Sequence, residues 1–186
     1  MLCVTEDFKT FKKLGNIFPP DNKDVALFPE KINGKYYALH RPSSGFGKNE
    51  IWLAESSDLM CWGNHRHIIG LRNGMWDSGR IGAGCPPVKV DGGWLEIYHG
   101  ATWDDRYCMG AVLLDGNEPW KVLKRSKTPI MEPETEYEKN GFFGGVVFAC
   151  GCTIKDDTVN LYYGAADTHM CAAQMSLKEI LNSLNK

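Results

Sequence analysis

Four basic or ionisable side chains suit the binding of an oxyanion by their chemical types. They are Lys23, Arg41, Arg80 and His99. An arginine guanidinium offers a planar fork of donors to phosphate, and a lysine ammonium adds a point charge. The sequence therefore predicts a site for a tetrahedral anion. The alternative is that these side chains are surface charges paired with nearby acids.

A carboxylate and several aromatic side chains could form the sugar-binding part of such a site. Asp167 follows Ala165 and Ala166, whose small side chains let a ligand approach the backbone. A carboxylate can accept hydrogen bonds from sugar hydroxyls, and an aromatic ring can serve as a platform for a sugar ring. The candidate platforms are Trp76, Tyr98 and Trp103, and a place in the core is the alternative for each.

The elements that must position these residues come from a segment that recurs three times, at 29–41, 87–99 and 151–164. Each copy has a short β-rich run, a turn, and a run of alternating aromatic and aliphatic residues. Asn33-Gly34 and Asp91-Gly92 predict hairpin turns because Asn and Gly tolerate positive φ. The repeat predicts an all-β fold, a partial β-propeller of four-stranded antiparallel blades.

Equivalent positions of successive propeller blades converge near the central channel. Arg41, His99 and Gly164 hold equivalent positions just past the alternating strand of each copy. We therefore expect the first two to meet a polar ligand near one axis.

A second element, a strand followed by a Leu-containing loop, follows each copy, and residues 2–11 resemble this element alone. The prediction is one partial propeller domain over residues 1–186. Residues 1–15 would be the last strand of a preceding blade. Approximate blades would follow at 16–75, 76–140 and 141–186.

One helix is predicted, at the C-terminal end of the chain. Ser176 is a suitable N-cap residue. Leu177, Ile180, Leu181 and Leu184 fall on one face of the helix that follows it.

The amino-acid composition excludes several classes of protein. Apolar residues make up 43% of the chain, which argues against disorder, and the net charge of −2 argues against nucleic acid as a main partner. The sequence shows neither a signal-peptide pattern nor a window of about 20 apolar residues, so we expect no membrane partner. The seven cysteines are an odd number, which favours reduced thiols and a cytoplasmic location. No metal site is predicted.

Five stretches carry a resemblance to a known family. They are NKDVALFPEK at 22–31, LHRP at 39–42, WDSGRIG at 76–82, IYHG at 97–100 and YYGAAD at 162–167. Together they resemble glycoside hydrolase family 130, the β-mannoside phosphorylases and β-mannosidases, through nearly the whole chain. The resemblance implies a five-bladed β-propeller.

The resemblance also implies roles for individual residues. Lys23, Arg41, Arg80 and His99 match positions that hold phosphate, and Asp167 matches a residue that contacts the transferred sugar. Tyr98 and Asp77 are further candidate sugar contacts. Some members carry Arg where Lys23 stands and Lys where Arg80 stands, which changes the hydrogen-bond geometry while the charge is kept.

The implied reaction is inverting cleavage of a β-mannosidic bond by phosphate, which gives mannose 1-phosphate. Its partners would be a mannose-containing oligosaccharide and inorganic phosphate as co-substrate, with no metal or organic cofactor. The family's proton-donating Asp is expected upstream of Met1, so no residue of this chain is assigned as the general acid.

Three other functions stay open at this point. Water could replace phosphate, which would make the protein a β-mannoside hydrolase, although members that use water tend to lose the basic residues. The chain could be a truncated, non-catalytic carbohydrate-binding propeller. It could also be a structural fragment whose exposed sheet faces and edges favour a homo-oligomer.

Overall fold

The computed structural model describes residues 1–43, 45 and 47–185. Antiparallel sheets account for most of the ordered backbone, and the described residues include two short helices. The prediction of an all-β fold is confirmed at this level. No helix in the described part of the chain has the length and apolar character needed to cross a membrane.

The chain begins with a hairpin of two strands, β1 (Leu2–Val4) and β2 (Lys12–Gly15). The prediction of a single strand for residues 1–15 was therefore wrong. The Asp7 carboxylate accepts hydrogen bonds from the backbone N–H groups of Lys9 and Thr10, both at 2.8 Å. This side chain closes a turn of the kind that Asp favours, and the turn returns the chain as a second strand.

The first sheet has four antiparallel strands in chain order, as the repeat predicted. They are β3 (Asn22–Leu27), β4 (Tyr36–Pro42), β5 (Ile51–Ser56) and β6 (Trp62–Ile69). Asn33 and Gly34 have φ values of 50° and 81°, and their turn joins Ile32 to Lys35. The predicted turn at this position is confirmed.

The second sheet has five strands instead of the predicted four. They are β7 (Arg80–Ala83), β8 (Val88–Val90), β9 (Gly93–Ala101), β10 (Tyr107–Leu114) and β11 (Val122–Arg125). Both β7 and β8 pair with β9, opposite the side that pairs with β10. They form one interrupted strand, because Pro86 and Pro87 have no backbone N–H to donate to the sheet.

The third sheet has three strands, not the predicted four: β12 (Val147–Lys155), β13 (Thr158–Ala165) and β14 (His169–Ser176). After β14 the chain enters a helix. A one-turn helix, α1 (Glu136–Lys139), precedes this sheet and was not predicted. The predicted C-terminal helix is confirmed as α2 (Leu177–Ser183), whose N-cap Ser176 hydroxyl accepts from the Glu179 N–H at 3.1 Å.

The core consists of two apolar layers, one on each side of the second sheet. One layer lies against the first sheet and includes Phe28 and Trp94, whose rings meet edge to face at 5.3 Å. The other lies against the third sheet and joins Ile97 to Leu161 and Ile180. Strand β9 is buried at all nine positions because it lies between the two layers. Successive antiparallel sheets stacked face to face are the arrangement of propeller blades.

Candidate functional site

The ends of β4 and β9 bring Arg41 and His99 together from neighbouring sheets. Arg41 Nη1 lies 3.3 Å from His99 Nε2, and it donates to the Ile81 carbonyl at 3.5 Å. Their exposed fractions are only 7% and 1%. The equivalent strand ends of the two sheets therefore meet at one point.

A bulge in β3 adds Asp24 to this point. The register of β3 against β4 shifts between Lys23 and Ala26, and Asp24 has a φ of 52°. Its Oδ2 atom lies 2.8 Å from Arg41 Nη1 and 3.3 Å from His99 Nε2. Bulges of this kind re-aim a side chain, and here the carboxylate reaches the second sheet.

Gly82 in β7 makes the close approach of these groups sterically feasible. A Cβ atom at this position would overlap the Asp24 carboxylate and the His99 ring. The glycine in the WDSGRIG stretch therefore has a packing reason: its missing side chain leaves the space in which Asp24 and His99 meet.

The electrostatics of the group follow from burial and from charge. Burial acts to raise the pKa of Asp24, but contact with His99 and the charges of Arg41 and Lys23 outweigh it, so this pKa lies below its ordinary value. Burial lowers the pKa of His99, against the opposing effect of Asp24. At neutral pH we therefore expect a carboxylate beside a neutral imidazole.

Two nitrogen atoms of this group have unmet hydrogen-bonding capacity. Among the described residues, Arg41 Nε and His99 Nδ1 are buried and make no hydrogen bond. Asp24 Oδ2 also lacks a hydrogen bond of good geometry, but it is paired by charge with Arg41 Nη1 at 2.8 Å. Buried polar atoms without partners are rare in native structures, and they accompany functional sites and bound ligands.

Arg80 joins this group through Tyr107. The Arg80 guanidinium donates to the Tyr107 hydroxyl and to the Asp105 carboxylate. The Tyr107 ring is stacked on the His99 ring, with 6.0 Å between the ring centroids. Arg80 thus stands one aromatic ring away from His99, on the more exposed side.

Lys23 completes the set at the surface. It is exposed, and its charge contributes to the low pKa of the adjacent Asp24. The structure therefore gathers Lys23, Arg41, Arg80 and His99, which we call the basic cluster. Its role in binding phosphate stays a prediction.

Asp77 and Tyr98 lie elsewhere, in a buried ionic network. Asp77 is fully buried and forms ion pairs with Arg72 and Arg125, each at 2.6 Å. The Tyr98 hydroxyl donates to Asp77 at 2.9 Å, and the Tyr98 ring has no exposed surface. A sugar contact needs access that neither side chain has, so this placement argues for a structural role.

Of the three remaining candidates for the sugar site, two are exposed and one is half-buried. Asp167 is exposed in the turn between β13 and β14, with a φ of 51°. Trp103 is exposed after β9. The Trp76 indole is half-buried: it stacks on Tyr98 at 5.5 Å, lies beside Gly100 and Gly110, and packs against the core.

Asp24, Tyr107 and Phe148 belong to the neighbourhood of the site but were not predicted as site residues. The Phe148 ring lies 4.2 Å from His99. Only Asp24 had a sequence signal, because it directly follows Lys23 in the NKD stretch. Tyr107 and Phe148 contact His99 through pairing between strands and packing between sheets, which local sequence does not encode.

Comparisons with known proteins find relatives whose names describe phosphorylases of mannosides. Residues 2–186 match the family profile described as beta-1,4-mannooligosaccharide phosphorylase. A beta-1,2-mannobiose phosphorylase of Listeria innocua is 59% identical over 184 residues, covering 98% of this chain and 52% of the relative. A 1,2-beta-oligomannan phosphorylase of a Thermoanaerobacter species is 44% identical, covering 96% and 59%. The chain thus spans little more than half the length of these relatives.

A solved structure agrees with the sequence comparisons. The beta-1,2-mannobiose phosphorylase of Listeria innocua, in complex with beta-1,2-mannobiose, superposes with a TM-score of 0.96 at 58% identity. The match covers 98% of this chain and 52% of that one. With a family profile matched from residue 2 to residue 186, the chain belongs to glycoside hydrolase family 130.

Proposed function

We propose that this chain provides the phosphate-binding side of a β-mannoside phosphorylase. The observation that carries the proposal is the basic cluster, in which Arg41 Nε, a buried donor, and His99 Nδ1, a buried ring nitrogen, have no partner among the described residues. The three cations Lys23, Arg41 and Arg80 outnumber the two carboxylates nearby, Asp24 and Asp105, which leaves a net positive charge. An anion with several acceptor oxygens would satisfy both the charge and the open Arg41 donor. The relatives named above are phosphorylases, which supports phosphate as that anion.

In this proposal the chain positions the phosphate and balances its negative charge. Arg41 and Arg80 hold phosphate oxygens, and His99 and Lys23 add a donor and a charge. Phosphate held in this way can attack the anomeric carbon of a β-mannoside, and inversion gives mannose 1-phosphate. Departure of the leaving sugar oxygen requires a proton from a carboxylic acid. Within the described residues we assign no side chain to that role.

The products of the reaction test this proposal. The chain is incubated with β-1,2-mannobiose or β-1,4-mannobiose, with and without phosphate, and the products are followed by ³¹P and ¹H NMR. We expect mannose 1-phosphate only when phosphate is present. Because no described side chain is assigned as the general acid, we expect turnover about 10²–10⁴-fold slower than with such an acid in place.

The rival function is hydrolysis. Equal release of free mannose with and without phosphate would contradict phosphorolysis and would establish a β-mannosidase. Binding of mannobiose with neither product would instead favour a carbohydrate-binding propeller without catalytic activity.

A further inference from the structure

A cavity next to Arg80 has the composition of a sugar-binding subsite. Its volume is about 320 Å³, and it lies between the loop after β4, the loop after β6 and the turn after β9. Its polar and aromatic lining includes Lys48, Asn49, Asn73, Ser78, Arg80 and Trp103. We call this space the Trp103 cavity.

The Trp103 side chain is 80% exposed, although a large aromatic residue gains most from burial. The turn that carries it is well fixed. Thr102 N donates to the Arg106 carbonyl at 3.2 Å, and Asp105 N donates back to the Thr102 carbonyl at 3.2 Å. An ordered turn therefore holds the indole at the surface.

The other walls of the Trp103 cavity are also fixed by backbone contacts. Ile81 N donates to the Asn49 carbonyl at 2.9 Å, which ties the loop after β4 to β7. Gly79 N donates to the Ala101 carbonyl at 2.8 Å, and a Cβ at Gly79 would lie 2.7 Å from the Thr102 carbonyl oxygen. The absence of a side chain at Gly79 lets the two walls close together. The cavity is preformed, which lowers the entropic cost of binding a ligand.

The polar groups around the cavity match sugar hydroxyls. Asn49 and Asn73 each offer a carboxamide, Ser78 offers a hydroxyl, and Lys48 and Arg80 offer charged donors. Small-molecule sites combine an apolar or aromatic surface with a few convergent polar groups, in volumes of about 300–1,000 Å³. The Trp103 cavity has the aromatic surface, the polar groups and a volume at the small end of that range.

Arg80 connects the cavity to the basic cluster. It lines the cavity, and its guanidinium also donates to Tyr107, whose ring is stacked on His99. A ring in the cavity would therefore lie beside an anion held by the basic cluster. That is the relation that a mannosyl ring and phosphate need in phosphorolysis.

We propose that the Trp103 cavity binds one mannosyl ring of the substrate, with the Trp103 indole as its platform and Asn49 and Asn73 as hydroxyl partners. The identity of the sugar rests on the proposed function. The cavity itself rests on the placement of Trp103, Arg80 and the two carboxamides.

The test is titration of the chain with β-1,2-mannobiose while the indole N–H signal of Trp103 is followed by NMR. The signal is assigned by its absence in Trp103→Ala. We expect mannobiose to shift this signal. Trp103→Ala should weaken mannobiose binding at least about tenfold, as truncation of an aromatic anchor does. Trp103→Phe should recover most of the affinity, because it restores an aromatic face.

Two controls show whether the effect is specific to the Trp103 cavity. Phe142 is 88% exposed and does not line the cavity, so Phe142→Ala should bind mannobiose like the unchanged chain. Phosphate affinity should be the same in Trp103→Ala, because Trp103 is not part of the basic cluster. If the unchanged chain binds no phosphate, that result counts against the proposed function. The mannobiose-induced shift of the Trp103 signal is expected even then, so the two failures can be told apart.

Three results would overturn the inference. One is unchanged mannobiose affinity in Trp103→Ala. Another is absence of any mannobiose-induced shift at the Trp103 indole. The third is a change in self-association of Trp103→Ala in analytical ultracentrifugation with no change in sugar binding, which would make Trp103 a contact between copies of the chain.

Discussion

At the scale of single residues, Asp24 sets the charge balance of the basic cluster. The sequence predicted only basic or ionisable residues at the anion site. The structure adds the Asp24 carboxylate, 2.8 Å from Arg41. This carboxylate offsets much of the buried positive charge. A buried arginine and an imidazole can therefore lie close together in the absence of a bound anion.

Glu96 offers a residue-scale prediction of a different kind, because it is a buried acid outside the basic cluster. It is fully buried on β9, where Oε1 accepts from the Gly84 N–H at 2.9 Å and Oε2 makes no hydrogen bond among the described residues. Burial raises the pKa of Glu96 well above its ordinary value, with a lesser contribution from Cys152.

The sign of the pH dependence follows from proton binding. The folded state keeps the Glu96 proton at a pH where the unfolded state has lost it. The contribution of Glu96 to stability is therefore complete below the unfolded pKa of 4.5 and declines as pH rises toward the folded pKa. The decline should be about 1.4 kcal/mol per pH unit in that window. Glu96→Gln has no proton to lose, so it should lack this decline.

Urea unfolding of the two chains between pH 5 and pH 8 measures the effect. The stability of the unchanged chain relative to Glu96→Gln should fall as pH rises. Glu6→Gln, at an exposed position, is the control and should follow the unchanged chain. Parallel pH profiles for the unchanged chain and Glu96→Gln would contradict the assignment of a protonated buried acid.

At the scale of secondary-structure elements, the Asp77 network ties the loop after β6 to the second sheet. Arg72 in that loop and Arg125 at the end of β11 both pair with the Asp77 carboxylate at 2.6 Å. Arg125 also donates to the Gly70 carbonyl at 2.7 Å. The network therefore fixes the loop that carries Asn73 and leads into β7.

Asp77→Asn should be strongly destabilising, because it leaves two partly buried guanidinium groups without their counter-charge. Breaking a buried ion pair by removing one partner costs about 3–5 kcal/mol. Urea or thermal unfolding measures the loss. The matched control is Glu132→Gln, which removes an exposed pair with Arg106 and should cost less than about 1 kcal/mol. Equal, small effects for both variants would show that the network adds little to stability.

Sequence predicted elements well where their signals are local. The Asn33-Gly34 turn and helix α2 were found because a turn pair and an N-cap serine act within a few residues. Helix α1 was missed, although Thr135 and Glu138 form a capping box that the sequence displays. Its single turn depends on a long-range contact, since the Tyr163 hydroxyl donates to Glu138 at 2.8 Å.

Strand counts and the burial of candidate site residues were less predictable. The second sheet has five strands because two prolines interrupt one of them. The third has three because the chain turns into α2 after β14. Tyr98 and Asp77 were predicted as candidate sugar contacts. Their burial results from Arg72 and Arg125, whose approach to Asp77 no local pattern indicates.

At the scale of the whole molecule, the stacking of sheets creates the site. Arg41 and His99 belong to different sheets, 58 residues apart in sequence, and they meet because the equivalent strands of neighbouring sheets end at the same place. The repeat in the sequence was sufficient to expect this convergence. It could not supply Asp24, because the bulge that aims this carboxylate is a departure from the repeat.

Phosphate binding by the basic cluster is decided by titrating the chain with phosphate while ¹H–¹⁵N NMR spectra are recorded. The variants are Arg41→Lys, which keeps the charge but loses the planar fork, and Arg80→Gln, which loses an accessible cation. Arg106→Gln is the control, since Arg106 is a surface arginine outside the cluster. We predict saturable shifts around Arg41, Arg80 and His99, weakened at least several-fold in the first two variants and unchanged in the control. Phosphate binding of equal strength in all four proteins, or shifts confined to other surfaces, would show that the basic cluster is not a phosphate site.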